Sequence, residues 1–599
     1  MGGGAFLGCM FDVNDAAGKT IKKEIRWLPQ HVNCKPEPLV EKNMTVRSQT
    51  ILSRPKWSSN RALMKSMGYS DYDMEKPLIG IANSWNTIVP GHYNLRQVAD
   101  YVRQGIYQAG GTPVEFGVLA GCDGVATGHE GNRYILPTRD LICMSVEAMV
   151  EAHKLDAVVL LGSCDKIVPG MLMAAARLDI PAILMVGGPS EGGCEYDGRS
   201  TDITTMLEGL GMLTSGRLSE EEFSELEDKV MPTCGSCSFL GTANTMCCIS
   251  EGLGLSLPGS ATIPAVYSAR LRISQEAGRR IVEMVHEGLT SRKIINRKGI
   301  ENAIRLSSAL GGSTNIALHL PAIAHEAGVE ITMQEMDKLF NSTPHVARIY
   351  PAAPANVPQF HGAGGVPAVI KEIITLMHAD AMTVTGKTHA ENISGVRDGD
   401  RSIIRSLDDP WSVDGGLAVL SGNLAPDTAI TKPGAVHSSM RTFTGSARCF
   451  DGEEEANQAI LDGKIQEGDV VVIRYEGPRG GPGMREMVSA MKMLYGRGLA
   501  LKTALITDGR FSGTNNGCFV GHISPEAAAG GPLAIVQDGD QITIDMTARN
   551  LHLHVSDEEI KARLATWSRP QPKYTTGLLG LYSQLAESAD KGAVLRIGK

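Results

Sequence analysis

Several short segments of this chain carry residue types at spacings that could do chemistry. In Ser163-Cys164-Asp165-Lys166-Ile167-Val168-Pro169-Gly170 a soft thiolate stands beside a hard carboxylate. Such a pair could serve two different metals, sulfur to iron and oxygen to magnesium. It fits equally a buried cysteine next to a helix-capping aspartate. Pro232-Thr233-Cys234-Gly235-Ser236-Cys237 holds a C-x-x-C, which could be half a zinc site, a redox pair or a cluster site. Zinc would need a second such pair or paired histidines nearby, and Cys247-Cys248 has the wrong spacing. No thioredoxin-like context is present either, which leaves a cluster with few protein thiolates and an iron with an open position. Gly121-Cys122-Asp123-Gly124 offers a carboxylate that could bind metal or close a turn. In Thr507-Asp508-Gly509-Arg510-Phe511-Ser512-Gly513-Thr514 the serine could sit in a simple turn or be a reactive oxygen on a strained loop. Gly311-Gly312-Ser313-Thr314-Asn315 presents backbone N–H groups and small hydroxyls at a helix start, which suits a carboxylate.

Three other motifs carry less. The glycine-rich run Glu476-Gly477-Pro478-Arg479-Gly480-Gly481-Pro482-Gly483-Met484-Arg485-Glu486 has two prolines inside it, which weakens a dinucleotide reading. Ala381 to Thr388 formally resembles a phosphate loop but lacks the loop glycines. His325-Glu326 has no second histidine at helical spacing, so it is not a zinc-protease motif.

The elements that must position these residues can be read from hydrophobic periodicity. Pro77–Ala82, Thr112–Ala120, Ala157–Gly162 and Ala182–Gly188 are predicted as strands. Asn94–Ala109, Thr138–His153 and Gly170–Leu178 are predicted as the helices between them. This alternation indicates a parallel sheet with helices on both faces, and ligands then gather at the carboxyl ends of the strands. After Ala381 the texture changes, with strands predicted at Met382–Thr385, Gly416–Leu420, Asp469–Arg474, Leu501–Thr507, Leu533–Gln537 and Gln541–Met546, and a helical tail from Glu558. The fold class expected is α/β, an N-terminal parallel-sheet α/β domain followed by a β-rich, barrel-like C-terminal domain.

A chain of 599 residues is too long for one ordinary core, so more than one domain is expected. We expect a poorly ordered extension over residues 1–43, the α/β domain over 44–380 and the barrel-like domain over 381–599. A net charge of −9 with only 5% aromatics argues against a nucleic-acid surface. No apolar run approaches a membrane span. The twelve cysteines show no disulfide-framework spacing, and no signal peptide is evident, so reduced thiols in the cytoplasm are expected.

Together these segments resemble the dihydroxy-acid dehydratase and 6-phosphogluconate dehydratase family, from about Arg47 to Leu595. The most specific blocks are Cys164–Gly170, Pro232–Cys237, Arg474–Met487 and Ile506–Gly513, and their order matches as well. The resemblance implies an iron–sulfur- and magnesium-dependent hydro-lyase that turns a 2,3-dihydroxy acid into a 2-oxo acid. Cys164 and Cys237 match cluster-ligating cysteines, and Asp123, Asp165 and Glu486 match magnesium ligands. Lys166 matches a lysine that is carbamylated to become a further ligand, and Ser512 matches the serine whose alkoxide takes the C2 proton. Ser313, Thr314, Asn315, Thr514 and Asn515 are the candidate substrate-binding residues. Family members are homodimers or dimers of dimers. Members with a [2Fe–2S] cluster carry a cysteine after Pro90, where this chain has Gly91-His92. It therefore resembles the [4Fe–4S] branch, with Cys234 the first candidate for a third thiolate and Cys122 the second.

Overall the chain is most similar to members acting on 2,3-dihydroxy-3-methylbutanoate and its methyl homologue, in branched-chain amino-acid biosynthesis. Ser238–Thr245 and Ser512–Gly517 resemble sugar-acid dehydratases more. Asn515 and Asn516 could hydrogen-bond a polyol tail, or form a left-handed turn. A third reading is a non-catalytic cluster-binding protein, which the retained Ser512 and full magnesium set oppose.

Overall fold

The computed structural model describes residues 8–14, 20–26, 46–196, 198–214, 216–511 and 517–596. The chain forms two compact units, residues 1–45 and 46–599. In the first, β1 (Gly8–Asn14) and β2 (Thr20–Arg26) pair as an antiparallel hairpin in a stretch where the sequence shows no clear periodicity.

After three short helices over residues 49–74, the second unit forms a four-stranded parallel sheet. Its strands are β3 (Leu78–Asn83), β4 (Thr112–Gly117), β5 (Ala157–Leu161) and β6 (Ala182–Met185), in the order β4-β3-β5-β6. The central strands β3 and β5 are buried at every position, which is why β5 reads Ala-Val-Val-Leu-Leu without alternation. Helices Leu95–Gln108, Ile135–His153 and Ile167–Leu178 make the crossovers. Strand–helix alternation then stops. After a short pairing of β7 (Glu195–Tyr196) with β8 (Arg199–Ser200), residues 203–393 are mainly helical.

Eight strands close the barrel: β9 (Ala418–Gly422), β10 (Ala425–Thr431), β11 (Thr442–Phe450), β12 (Asp469–Ile473), β13 (Ala504–Thr507), β14 (Cys518–Ser524), β15 (Gln541–Asp545) and β16 (Asn550–Leu553). Their order around the barrel is β10-β14-β13-β12-β11-β15-β16-β9, with β9 pairing back to β10. The β12 run Val470-Val471-Val472-Ile473 shows why these strands lack alternation. Val470 and Val472 enter the barrel interior, while Val471 and Ile473 pack under the helix Val488–Gly496 with Met491 and Leu494. Both faces are covered, so both are apolar.

Two expected strands are absent. Met382–Thr385 is a turn joined only by an isolated bridge from Met382 to Thr388, because the Thr383 hydroxyl and backbone bond to Lys387 across Gly386. Leu533–Gln537 begins inside a 3-10 turn, Pro532–Ile535, because the proline at its start fixes φ and supplies no N–H for a ladder. Four barrel strands, β10, β11, β14 and β16, lie where none was expected. Among the described residues no helix is long and apolar enough to cross a membrane.

Candidate metal centre and pocket

Three carboxylates converge at the carboxyl ends of the parallel strands. Asp123 opens the short helix that follows β4, and Asp165 sits in the turn between β5 and Ile167–Leu178. Glu486 ends the glycine-rich loop after β12 and is bridged to Arg510. Gly483 lets that loop close on the N-terminal half. Its φ is +92°, and a Cβ there would lie 1.7 Å from the Arg133 carbonyl. One oxygen from each of Asp123, Asp165 and Glu486 lies within 4.8 Å of the others.

A fully buried ammonium stands among them. Lys166 Nζ donates to Asp123 and to Glu486 Oε1 at 3.1 Å, with Asp165 at 3.6 Å. Glu486 Oε1 also accepts from Asn315 Nδ2 and Arg510 Nη1, each at 2.7 Å. Asn132 links the set, accepting from the Glu486 N–H at 3.1 Å and donating to Asp123 Oδ1 at 3.2 Å. Burial pushes the Asp165 carboxyl up to about 7; Lys166 opposes this, while the charges of Asp123 and Glu486 reinforce it. Burial also disfavours the Asp123 carboxylate, but Lys166 and Arg510 outweigh it and hold that group below its ordinary value. The structure thus brings together Asp123, the adjacent Asp165 and Lys166, and Glu486, from three distant stretches of the sequence.

The thiols lie on the same rim. Cys164 is buried, and its N–H and that of Ser163 both donate to His92 Nε2, at 3.3 and 3.1 Å. Nε2 is therefore an acceptor, the proton is on Nδ1, and Nδ1 donates to the Ser84 carbonyl at 2.9 Å. Burial holds this imidazole neutral, with its pKa pushed down to about 4. The C-x-x-C loop is stitched beyond β6 by Ser190 N–H to the Ser236 carbonyl at 2.8 Å and Ser236 N–H to the Gly188 carbonyl at 3.0 Å. Burial pushes the Cys164 and Cys237 thiols well up, and burial also raises Cys122 and Cys234.

A cavity of 220 Å³ joins the two groups of ligands. Its lining includes Asp123, Asp165, Glu486 and Cys237, the hydroxyls of Thr127, Thr204 and Thr242, and an apolar set of Ile203, Met206, Leu207, Phe239 and Val488, called the apolar wall below. Ile203, Met206 and Leu207 share one helix, Ile203–Thr214, at a spacing that puts them on one face.

The expected carboxylate cradle is used by the protein itself. Ser313 Oγ shares a hydrogen bond with Thr242 Oγ1 at 2.9 Å, and Thr314 Oγ1 donates to the Phe511 carbonyl. Asn315 spends its amide N–H groups on Thr242 and Glu486, leaving its buried Oδ1 without a partner. Ser512, Thr514 and Asn515 lie outside the described residues. Asn132, His92, Arg510 and the apolar wall were not singled out from sequence. Arg510 and His92 sit inside quoted motifs, whereas the wall reads like any core helix.

The comparisons agree with this architecture. Residues 76–392 match the model for the dihydroxy-acid/6-phosphogluconate dehydratase N-terminal region, and residues 402–593 match that for the C-terminal region. A dihydroxy-acid dehydratase of Caldanaerobacter subterraneus is 50% identical over 555 residues, 92% of this chain and 100% of that protein. Those of Acetivibrio thermocellus and Ignicoccus hospitalis are 49% and 50% identical, again over 92% of this chain and 100% of theirs. The chain belongs to the dihydroxy-acid/6-phosphogluconate dehydratase family, and its class is that of a hydro-lyase.

Proposed function

We propose that this chain removes water from a branched-chain 2,3-dihydroxy acid to give the 2-oxo acid. The observation that carries this reading is a single cavity lined both by hard and soft ligands and by five apolar side chains. Ile203, Met206, Leu207, Phe239 and Val488 offer a substrate tail apolar contact, and the other side chains of the lining beyond the ligand residues are Thr127, Thr204, Thr242 and Ala243, so apolar surface outweighs hydroxyls. The relatives named above carry the same dehydratase name, which supports the alkyl acid over the sugar acid.

The donor set fits two cofactors. Three convergent carboxylates suit a magnesium ion, and Asp123, Asp165 and Glu486 would hold it. The Lys166 ammonium occupies the same carboxylates, so cation binding requires that it lose its proton or be carbamylated. Cys164 and Cys237 would hold an iron–sulfur cluster, favoured as [4Fe–4S] over [2Fe–2S]. When bound, these groups supply Lewis-acid chemistry, polarising the carboxylate and C2 hydroxyl and drawing off the C3 hydroxide.

The protein's own part is binding and proton transfer. The apolar wall takes the alkyl end and excludes water from it. Asn132, Asn315 and Arg510 fix the Asp123 and Glu486 carboxylates in place. Ser512 accepts the C2 proton, the C2–H electron pair becomes the C2=C3 bond, and the C3–O bond breaks with loss of hydroxide. The enol then takes a proton at C3 and loses its hydroxyl proton, giving the 2-oxo acid. By resemblance the working form is a cytoplasmic homodimer or dimer of dimers.

Anaerobically purified protein offered 2,3-dihydroxy-3-methylbutanoate and an aldonate in parallel should yield 2-oxo acid faster from the former. A preference for the aldonate would reject the substrate assignment, and no product from either would favour the cluster-binding alternative.

A further inference from the structure

The helix Ile203–Thr214 supplies three of the five apolar-wall side chains, yet apolar packing seats it loosely. Its main neighbours are the helices Glu220–Lys229 and Val488–Gly496. The first of these buries Leu226 alone among its side chains, and Ile203, Leu207 and Leu210 stay exposed. Polar ties fix the helix instead. Lys492, one turn beyond Val488 on the barrel side, donates to Glu208 Oε1 at 2.8 Å, and its side chain is only 5% exposed. Glu208 directly follows Leu207, and its Oε2 accepts from Arg199 Nη2 at 2.9 Å. Arg199 Nη1 also donates to Asp202 at 3.2 Å, and Asp202 Oδ1 caps the helix by accepting from the Thr204 N–H at 2.7 Å. The Arg199 guanidinium lies 4.3 Å over the Tyr350 ring, and Tyr350 meets Phe239 edge-on with centroids 6.4 Å apart. Every wall residue is therefore tied to Glu208, where the helical half meets the barrel across 284 positions.

We propose that Lys492 is a positioning residue for substrate selection. Its ion pair with Glu208 sets how far Ile203, Met206 and Leu207 stand from Val488, and so the width left for an alkyl tail. The proposal rests on the branched-chain reading above. Lys492 and Glu208 line an outer cleft of 830 Å³, and Leu207 lines both that cleft and the inner cavity. The pair thus acts from behind Leu207 rather than against the substrate. Apolar contact is non-directional, whereas a charge-assisted hydrogen bond fixes distance and angle. Lys492 supplies that constraint where the wall needs it.

The test uses the full chain, purified anaerobically. Lys492→Met keeps the apolar stem and drops the charge, and Arg199 still serves Glu208, so no carboxylate is stranded. KM for 2,3-dihydroxy-3-methylbutanoate should rise about tenfold, the lower range for losing one methylene's fit in an apolar pocket. Because the wall lies away from the reacting atoms, kcat should stay within about twofold, with metal contents unchanged. Hydrogen–deuterium exchange should quicken about tenfold across Ile203–Thr214 and stay unchanged in β5. Lys492→Arg, which keeps charge and reach, should restore both KM and exchange. Unchanged exchange in that helix, an unchanged KM, or no rescue by arginine would each overturn the proposal. A wild type that prefers the aldonate would reject the substrate reading instead. KM is then measured with the aldonate, and the exchange result decides the role of Lys492 as before.

Discussion

Replacing Glu486 by glutamine tests the metal centre at its most connected atom. Oε1 accepts from Asn315, Arg510 and Lys166, and both cations are fully buried. Glutamine keeps the shape and an acceptor oxygen but makes the two cationic contacts charge-to-neutral. Both cations stay charged and buried while their shared counter-charge is gone, and removing one partner of a buried ion pair costs about 3–5 kcal/mol. That is the loss expected in the metal-free protein. Metal makes the second half of the test. A site filled at about a hundred times its Kd adds about 2.7 kcal/mol to the wild type, and Glu486→Gln should forfeit nearly all of it. Urea unfolding followed by tryptophan fluorescence, in EDTA and in excess magnesium, separates the two contributions. A variant that keeps the full magnesium stabilisation would show that the cation is held elsewhere. One as stable as wild type in EDTA would show that Glu486 is not the counter-ion of Lys166 and Arg510.

Other perturbations address the remaining parts. Ser512→Ala should lower turnover by at least about a hundredfold and abolish deuterium exchange at C2, while iron and magnesium contents stay unchanged. Near-normal turnover would place the base on another residue. Leu207→Asn, on the apolar wall, should reduce the kcat/KM ratio of alkyl over polyol acid by roughly tenfold or more, and an unchanged ratio would remove the wall from substrate recognition. With the Asp165 carboxyl pushed up to about 7, a proton competes with the cation below that pH. Magnesium affinity should therefore fall about tenfold per pH unit on the acid side and level off above it. In protein whose Lys166 is already carbamylated, calorimetry in buffers of different ionisation enthalpy should find proton release near pH 6 and none well above pH 7, and a flat profile would refute the competition.

The legibility of this fold followed from how each strand is covered. β5 and β12 are apolar on both faces and stood out as continuous runs. β11, Thr-Phe-Thr-Gly-Ser-Ala-Arg-Cys-Phe, did not, because it is only partly covered and its polar residues conceal the ladder. β14 contains Gly521 and ends near His522, whose φ of +55° breaks the regular strand pattern. At the site, the motif blocks pointed to Asp123, Asp165, Lys166 and Glu486. Their convergence has no signature in spacing, since Glu486 reaches Lys166 across 320 positions. The apolar wall was illegible for a different reason. Ile203 and Leu207 look like core residues until their partial exposure is seen.

The separation between Lys166 and Glu486 also bears on how the protein is made. At about 5–20 residues per second, Glu486 leaves the ribosome on the order of 15–60 s after Lys166. Throughout that interval the nascent helical half must keep Lys166 in company with Asp123 and Asp165 alone. Asn132 has no Glu486 N–H to accept, and Arg133 has no Glu476 to hold, a contact made across 343 positions. The unfinished rim therefore stays wet, and barrel closure is the event that dehydrates it. Truncated or stalled chains ending before the barrel should expose this rim together with the apolar face of Ile203–Thr214, a surface that chaperones recognise and that aggregates when left uncovered.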